Sequence, residues 1–450
     1  MKIKHVFMLL ILVALTLVLF GCEPEETEPA LHTRWPFPVG VAVPGANTSN
    51  VAGGSAANNA LLTANPQHAL LRHFNVVVAE NEMKPSNLLP NSRPNITGSD
   101  FNNPVEADYE IWKANYKWDA ADQLVNYAQA NGKQVRGHTL FWHSQSPDWF
   151  FLDTGNVPIS KEQLYYRMDL HIRTVFERYA GKIHSWDVVN EVIAQADISG
   201  ARPPVTTMGS RSGEQSYFTN IMNADSSLTG LEKFDFVRHA FERARYWADV
   251  YEDDNVQFYL TDFGVERPFT RGGTTKQQDF YNLIQWLVQQ DAPIDGIGFQ
   301  GHFRLYDHPA VKADCRVAAC IANNAVCNHD IKSGIEMFSA FTRTDGHTLK
   351  IIICELDFSV FDNSLGSAAT VQENALPQRL ADLADTYRKF FDMFEEFYQS
   401  GVIDMVLIWG LADGHSWLNA HPVAGRTDYP LLFNRAYEPK QAYFSLVQNR

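Results

Sequence analysis

Eight short runs of β-branched or apolar residues recur along the chain: PVGVAV (38 to 43), FNVVVAE (74 to 80), QVRGHTL (134 to 140), IHSWDVVNE (183 to 191), VQFYLTD (256 to 262), IDGIGFQ (294 to 300), LKIIICE (349 to 355) and DMVLIWG (404 to 410). Their apolar character is nearly continuous rather than strictly alternating, as in strands of a parallel sheet covered on both faces. Between them lie stretches whose apolar positions recur at three and four, such as WDAADQLVNYAQANGK (118 to 133), with Gly132 as its C-cap, and KFDFVRHAFERARYWADV (233 to 250). Eight strands with intervening helices predict an α/β chain, a (β/α)8 TIM barrel in one domain covering residues 36 to 450. The segments 85 to 116, 192 to 233 and 304 to 331 lack strong periodicity and follow strand ends, so they are expected as long loops on the C-terminal face of the strands. There is no internal repeat, low-complexity tract or sign of a second domain.

A doubly wound open sheet is the structural alternative, because Gly296-Ile297-Gly298-Phe299-Gln300-Gly301 matches GxGxxG. In a dinucleotide fold that turn must open a helix, whereas here the glycines lie within an apolar run. Nucleotide binding is therefore not expected.

Composition narrows the class of partner. Ten Trp and seventeen Tyr exceed what most cores need, and such rings serve as stacking platforms for sugars. A formal charge of -15 repels nucleic acid and anionic membrane surfaces, which leaves an uncharged partner as the better fit.

The N-terminus reads separately. Lys2 and Lys4 precede an apolar run from Val6 to Phe20, followed by Gly21 and Cys22, which is the pattern of a signal peptide. Leu19-Phe20-Gly21-Cys22 resembles a bacterial lipobox, in which the cysteine becomes the lipidated N-terminus. An ordinary signal peptide or an uncleaved anchor helix are the alternatives. Residues 1 to 22 are thus expected as a lipoprotein-type leader and 23 to 35, acidic and Pro-bearing, as a linker. The product would be exported, tethered at the cell surface or outer membrane through Cys22 or else secreted.

Of the other cysteines, Cys315, Cys320 and Cys327 cluster near His308 and His329. Their C-x4-C-x6-C spacing lacks the tight knuckle of structural zinc sites, so one local disulfide with a partner left over is the preferred reading. Cys354, within an Ile-rich run, reads as a small core residue.

The chemistry is expected where charges end apolar runs, since a charge there is costly unless function or pairing retains it. Glu80, His138, Glu191, Asp262, His302, Glu355 and Asp357 hold such positions. Glycosidic cleavage needs one carboxylic acid to protonate the leaving oxygen and a second carboxylate at the anomeric carbon. Glu191 ends the fourth run and Glu355 the seventh, so they would approach the barrel axis from opposite sides. Each alone reads equally well as half of a strand-end ion pair.

The segments FNVVVAENEMK (74 to 84), VRGHTLFWHSQSPDWF (135 to 150), WDVVNEV (186 to 192), PIDGIGFQGHF (293 to 303), ICELDFSV (353 to 360) and WGLADGHSW (409 to 417), in this order, resemble family 10 glycoside hydrolases. The resemblance implies hydrolysis of internal β-1,4 linkages of xylan or xylo-oligosaccharides with retention, Glu191 as acid/base and Glu355 as nucleophile, without metal or organic cofactor. It implies that Asn190 hydrogen-bonds the sugar 2-hydroxyl, and that His302 with Asp357, beside Gln300, orients the nucleophile and keeps it ionised. Glu80, Asn81 and Lys84 would grip sugars on the non-reducing side, His138, Trp142 and Gln145 would line the cleavage subsite, and Trp409 and Trp417 would cover it. Two departures stand out: the family's Asn-Asp-Tyr after the fifth strand reads Thr261-Asp262-Phe263, and a short Trp-containing segment is missing after Glu191. Another β-1,4-glycanase activity, on glucan or cellulose, and a non-catalytic glycan-binding lipoprotein are the rival readings. A monomer is expected.

Overall fold

The computed structural model describes residues 29–44, 69–193, 216–267, 276–305, 328–361, 370–371 and 373–448. The leader with Cys22, and Cys315, Cys320 and Cys327, lie outside the described residues. Nine strands are described: β1 (Val39–Val43), β2 (Val76–Ala79), β3 (Gln134–Trp142), β4 (Ser185–Asn190), β5 (Gln257–Asp262), β6 (Gly296–Phe299), β7 (His302–Arg304), β8 (Lys350–Ser359) and β9 (Ile403–Ile408). All pair in parallel. The order β1-β2-β3-β4-β5-β6-β8-β9 closes through β9 onto β1, which makes the eight-stranded (β/α)8 barrel expected from the apolar runs.

Ten helices are described: α1 (Pro85–Leu88), α2 (Glu106–Lys113), α3 (Asp119–Ala130), α4 (Lys161–Tyr179), α5 (Tyr217–Ala224), α6 (Asp235–Val250), α7 (Lys276–Gln289), α8 (Asn328–Phe338), α9 (Leu376–Gln399) and α10 (Gln441–Val447). α3 ends as its sequence foretells. Gly132 takes φ 62°, and Lys133 turns back to donate to the Ala128 carbonyl at 2.9 Å. None of the described helices is long and apolar enough to cross a membrane.

The closed sheet separates two cores. Val76, Val78, Tyr259, Ile352, Cys354, Met405 and Leu407 fill the barrel interior, and the larger cluster lies between strands and helices. This double burial explains why the strands read as continuous apolar runs. Gly298 stands in the interior layer because a Cβ there would fall 2.4 Å from the Thr261 side chain. The GxGxxG segment therefore serves strand packing, and the next described element is the strand β7.

Three boundaries differ from the sequence reading, for one reason. β3 continues past Leu140 to Trp142, β8 continues past Glu355 to Ser359, and His302-Phe303, beyond the end of the sixth run, belong to β7, whose His302 pairs with Asp357 of β8. Polar residues look like strand ends, but at the barrel mouth their side chains face the cleft while the backbone keeps pairing. The expected loop over 85 to 116 contains α1 and α2. These are too short for periodicity, and α2 is anchored by buried Tyr109 and Trp112. Residues 29 to 35 pack onto the barrel: Leu31 and Trp35 are buried, and Trp35 Nε1 donates to the Leu446 carbonyl at 3.2 Å.

Candidate active site

The C-terminal ends of the strands surround a cleft of about 780 Å³. Glu80, Asn81, Lys84, His138, Trp142, Gln145, Asn190, Glu191, Gln300, His302, Glu355, Trp409 and Trp417 line it together. Asp357 sits immediately behind His302. Asp262 does not face the cleft: its carboxylate takes the Lys276 ammonium at 2.6 Å and the backbone N–H groups of Ile193 and Phe263, each at 2.9 Å. It therefore anchors the segment leaving β4.

On β8, Glu355 is buried and its two oxygens are used differently. Oε2 lies 3.2 Å from His302 Nε2, while Oε1 has no partner among the described residues. The other ring nitrogen, Nδ1, lies 3.0 Å from Asp357 Oδ1, and Asp357 Oδ2 accepts from Trp417 Nε1 at 2.8 Å. Burial disfavours the imidazolium, but the Asp357 charge and hydrogen bond, reinforced by Glu355, outweigh it and raise the His302 pKa to about 10. Burial likewise opposes ionisation of Glu355. The hydrogen bond from His302 and the charges of His138, His302 and Lys84 overcome it, holding the carboxyl down at about 2.

Glu191 follows β4 at φ 57°, a left-handed conformation uncommon outside glycine, fixed by its N–H donating to the Thr261 carbonyl at 2.8 Å. Its Oε2 accepts from Trp142 Nε1 and its Oε1 from Gln300 Nε2, both at 3.0 Å. Gln300 also reaches Asn190 Oδ1 at 3.2 Å, and Thr261 Oγ1 donates to that same oxygen at 2.8 Å. With its oxygen occupied twice, Asn190 presents its amide donors to the cleft.

Beneath these groups runs a buried chain that the sequence did not disclose. Arg136, Asp187 and His138 are all essentially inaccessible. Asp187 pairs with the Arg136 guanidinium through Oδ1 and holds His138 Nδ1 at 2.7 Å through Oδ2. Both Arg136 and Asp187 sit in mid-strand, where a charge is normally excluded. Only the alternation along β3, which brings Arg136 and His138 to one face, hinted at them.

The remaining walls come from loops. Lys84 Nζ donates to Asn81 Oδ1 at 3.0 Å and lies 4.9 Å above the Trp142 ring. Burial pushes the neighbouring Glu80 carboxyl up to about 7, the Lys84 charge opposing the shift. After β9, Trp409 meets His138 edge-on at 5.4 Å, and Trp417 lies 4.9 Å from His302 and stacks on His421 at 5.0 Å. The same loop adds His415 and Ser416 from the WGLADGHSW segment, and Asn419, Arg426 and Arg435, which lie in no motif. Among the described residues no group of three or more His, Cys, Asp or Glu side chains is placed to hold a metal ion.

The model of the family described as glycosyl hydrolase family 10 matches residues 45–449. The chain belongs to glycosyl hydrolase family 10. Endo-1,4-beta-xylanase C of Paenibacillus barcinonensis is 35% identical over 89% of this chain, which spans 31% of that protein's length. Endo-1,4-beta-xylanase A of Halalkalibacterium halodurans is 30% identical, with 84% of this chain and 79% of that protein covered. A solved structure of a family 10 protein from Paenibacillus barcinonensis superposes with a TM-score of 0.69 at 31% identity, covering 93% of this chain and 97% of that one. In this family 10 member, the departure at Thr261 has a visible use, since its hydroxyl braces Asn190, while Asp262, which keeps the family's residue, holds the segment beyond Glu191.

Proposed function

We propose that this family 10 protein is a retaining endo-1,4-β-xylanase, hydrolysing internal linkages of xylan through a covalent glycosyl-enzyme. The observation that carries the mechanism is the asymmetry of Glu355, a cleft-lining carboxylate: one oxygen is held by a charged His302 and the other has no partner among the described residues. That oxygen attacks the anomeric carbon. Glu191 protonates the departing glycosidic oxygen, then takes a proton from the water that releases the sugar. Asn190 donates to the 2-hydroxyl, a contact that strengthens as charge develops at the ring. Glu80, Asn81 and Lys84 hold the non-reducing-side sugars. His138, Trp142 and Gln145 line the cleavage subsite under the indoles of Trp409 and Trp417, whose faces suit the apolar faces of the sugar rings. Xylan is favoured because the two relatives compared above are named endo-1,4-beta-xylanases.

The enzyme acts outside the cytoplasm as a monomer, tethered through a lipid on Cys22. The charged and apolar pattern of residues 1 to 22 supports the export and the tether. One barrel supplies every side chain lining the cleft, which supports the monomer.

Reducing-end release from xylan, mixed-linkage glucan and cellulose tests the activity. Turnover is expected on xylan foremost. Binding of xylan without turnover of any polymer overturns the enzyme reading, and faster turnover of glucan overturns the substrate.

The pH profile tests the His302 contact. A protonated imidazole stabilises the Glu355 anion, so removing it must raise the Glu355 pKa. His302→Gln is expected to move the acid limb of kcat/KM on a xylo-oligosaccharide to higher pH by about one unit or more. An acid limb at the same pH as in the wild type contradicts this role.

A further inference from the structure

Thr261, at the position where the family's pattern has asparagine, is wholly buried on β5. Its register partner on β4 is Asn190, and its partner on β6 is Gly298. A β-branched residue carries two diverging groups on Cβ, and here each meets one of those neighbours. The methyl Cγ2 occupies the space that a side chain at 298 would need, since a Cβ on Gly298 would fall 2.4 Å from it. The hydroxyl Oγ1 faces the other strand and donates to Asn190 Oδ1 at 2.8 Å. Packing against a glycine fixes the rotamer, and the rotamer aims the hydroxyl.

The direction of that bond is also fixed. The Asn190 amide has two ends of nearly the same shape, and turned over it would offer its nitrogen to Thr261 instead of its oxygen. The hydroxyl would then accept, and its own hydrogen would be left in a buried place without an acceptor, because the Thr261 side chain makes no other hydrogen bond among the described residues. Gln300 Nε2 donates to the same Asn190 oxygen at 3.2 Å and to Glu191 Oε1 at 3.0 Å, which favours the same orientation through a longer bond. An asparagine at 261 would not discriminate in this way, since it carries both a donor and an acceptor and suits either end of the Asn190 amide.

The consequence falls on the substrate. Asn190 lines the cleft, and with its oxygen engaged inside the barrel its N–H groups are the end that a sugar meets. Turned over, the amide would accept from the 2-hydroxyl, and the donation that strengthens in the transition state would be lost.

We propose that Thr261 is a positioning residue for the reaction: its hydroxyl selects the orientation in which Asn190 presents N–H groups to the 2-hydroxyl of the sugar being cleaved. The inference rests on the endo-xylanase reading and on the contact assigned there to Asn190. Its effect is confined to substrates that carry the 2-hydroxyl.

The test pairs an aryl β-xylobioside with its analogue lacking the 2-hydroxyl on the sugar bonded to the phenol. Thr261→Val keeps the branched shape and removes the donor. It is expected to lower kcat/KM about tenfold on the parent glycoside, the worth of one such hydrogen bond, and by about twofold or less on the deoxy analogue. Thr261→Ser restores the hydroxyl without the methyl and should recover part of the loss on the parent. Thr261→Ala, which brings no added methyl toward Asn190, should repeat the pattern of Thr261→Val and replaces it if the valine variant fails to fold. A merely structural effect slows both glycosides alike, and equal losses overturn the inference while xylanase activity stands. It is overturned equally by wild-type rates on the parent in the valine or alanine variant, or by a serine variant as slow as the valine one. A wild type that hydrolyses neither glycoside overturns the xylanase reading and this one together.

Discussion

Glu355→Ala is expected to cut kcat on xylan by about 10⁴-fold or more, with the barrel still folded. Every feature around this residue serves an anion poised to attack: an imidazolium on one oxygen, the charges of His138 and Lys84 nearby, and a second oxygen without a partner among the described residues. Alanine removes the attacking atom and leaves a space on the face of the sugar opposite the leaving group. Azide entering that space should restore turnover of an activated aryl xyloside and give the α-glycosyl azide. Truncating one member of a buried ion pair can cost about 3–5 kcal/mol. Here Asp357 remains to hold His302, and the isosteric Glu355→Gln keeps the shape, so thermal melts of both variants separate lost chemistry from lost fold. Residual xylanase activity within tenfold of wild type in either folded variant contradicts the nucleophile assignment.

The second large effect differs in kind. Glu191→Ala should lower kcat on xylan by about 10²-fold to 10⁴-fold, because a sugar leaving group cannot depart without a proton. An aryl xyloside with a strongly acidic phenol needs no such help, so its first step should stay close to the wild-type rate. The glycosyl-enzyme then accumulates, since water lacks its base, and KM falls with kcat. Azide should rescue this variant too, but through attack on the intermediate, giving the β-glycosyl azide. The opposite anomers from the two alanine variants distinguish the roles. Equal losses on xylan and on the activated glycoside would refute the assignment of Glu191 as acid/base.

Much of this was legible in the sequence because parallel barrel strands, covered on both sides, advertise themselves as apolar runs. All eight barrel strands lie where those runs do, and Cys354 is the buried core residue its neighbours Ile351, Ile352 and Ile353 implied. The strand ends were harder. Glu355 and His138 interrupt apolar runs and so look terminal, yet β8 and β3 continue through them, since at the barrel mouth a side chain faces the cleft while its backbone stays in the ladder. Asp262 shows the reverse error: a strand-end carboxylate that turns out to hold a loop through Lys276.

The site was legible only as far as its motifs extended. Glu191 and Glu355 stood out as charges ending apolar runs, while their roles and the residues around them came from the resemblance to family 10. Asp187 was missed although it lies four residues from Glu191, because nothing in WDVVNEV says that its carboxylate bridges Arg136 and His138. Such a bridge is a three-dimensional fact built from two strands. The arginines after β9 were missed for another reason: loop residues follow no period, and only the fold brings Arg426 and Arg435 to the wall opposite Glu191.

The most direct test of the account is trapping the intermediate. An aryl 2-deoxy-2-fluoro-xylobioside, whose fluorine slows the second step more than the first, is expected to label the enzyme with one fluoroxylobiosyl group, and peptide mass mapping should place it on Glu355. A label on any other residue, or α-configured product from the unmodified substrate with no labelled enzyme at all, would contradict a retaining mechanism through that carboxylate.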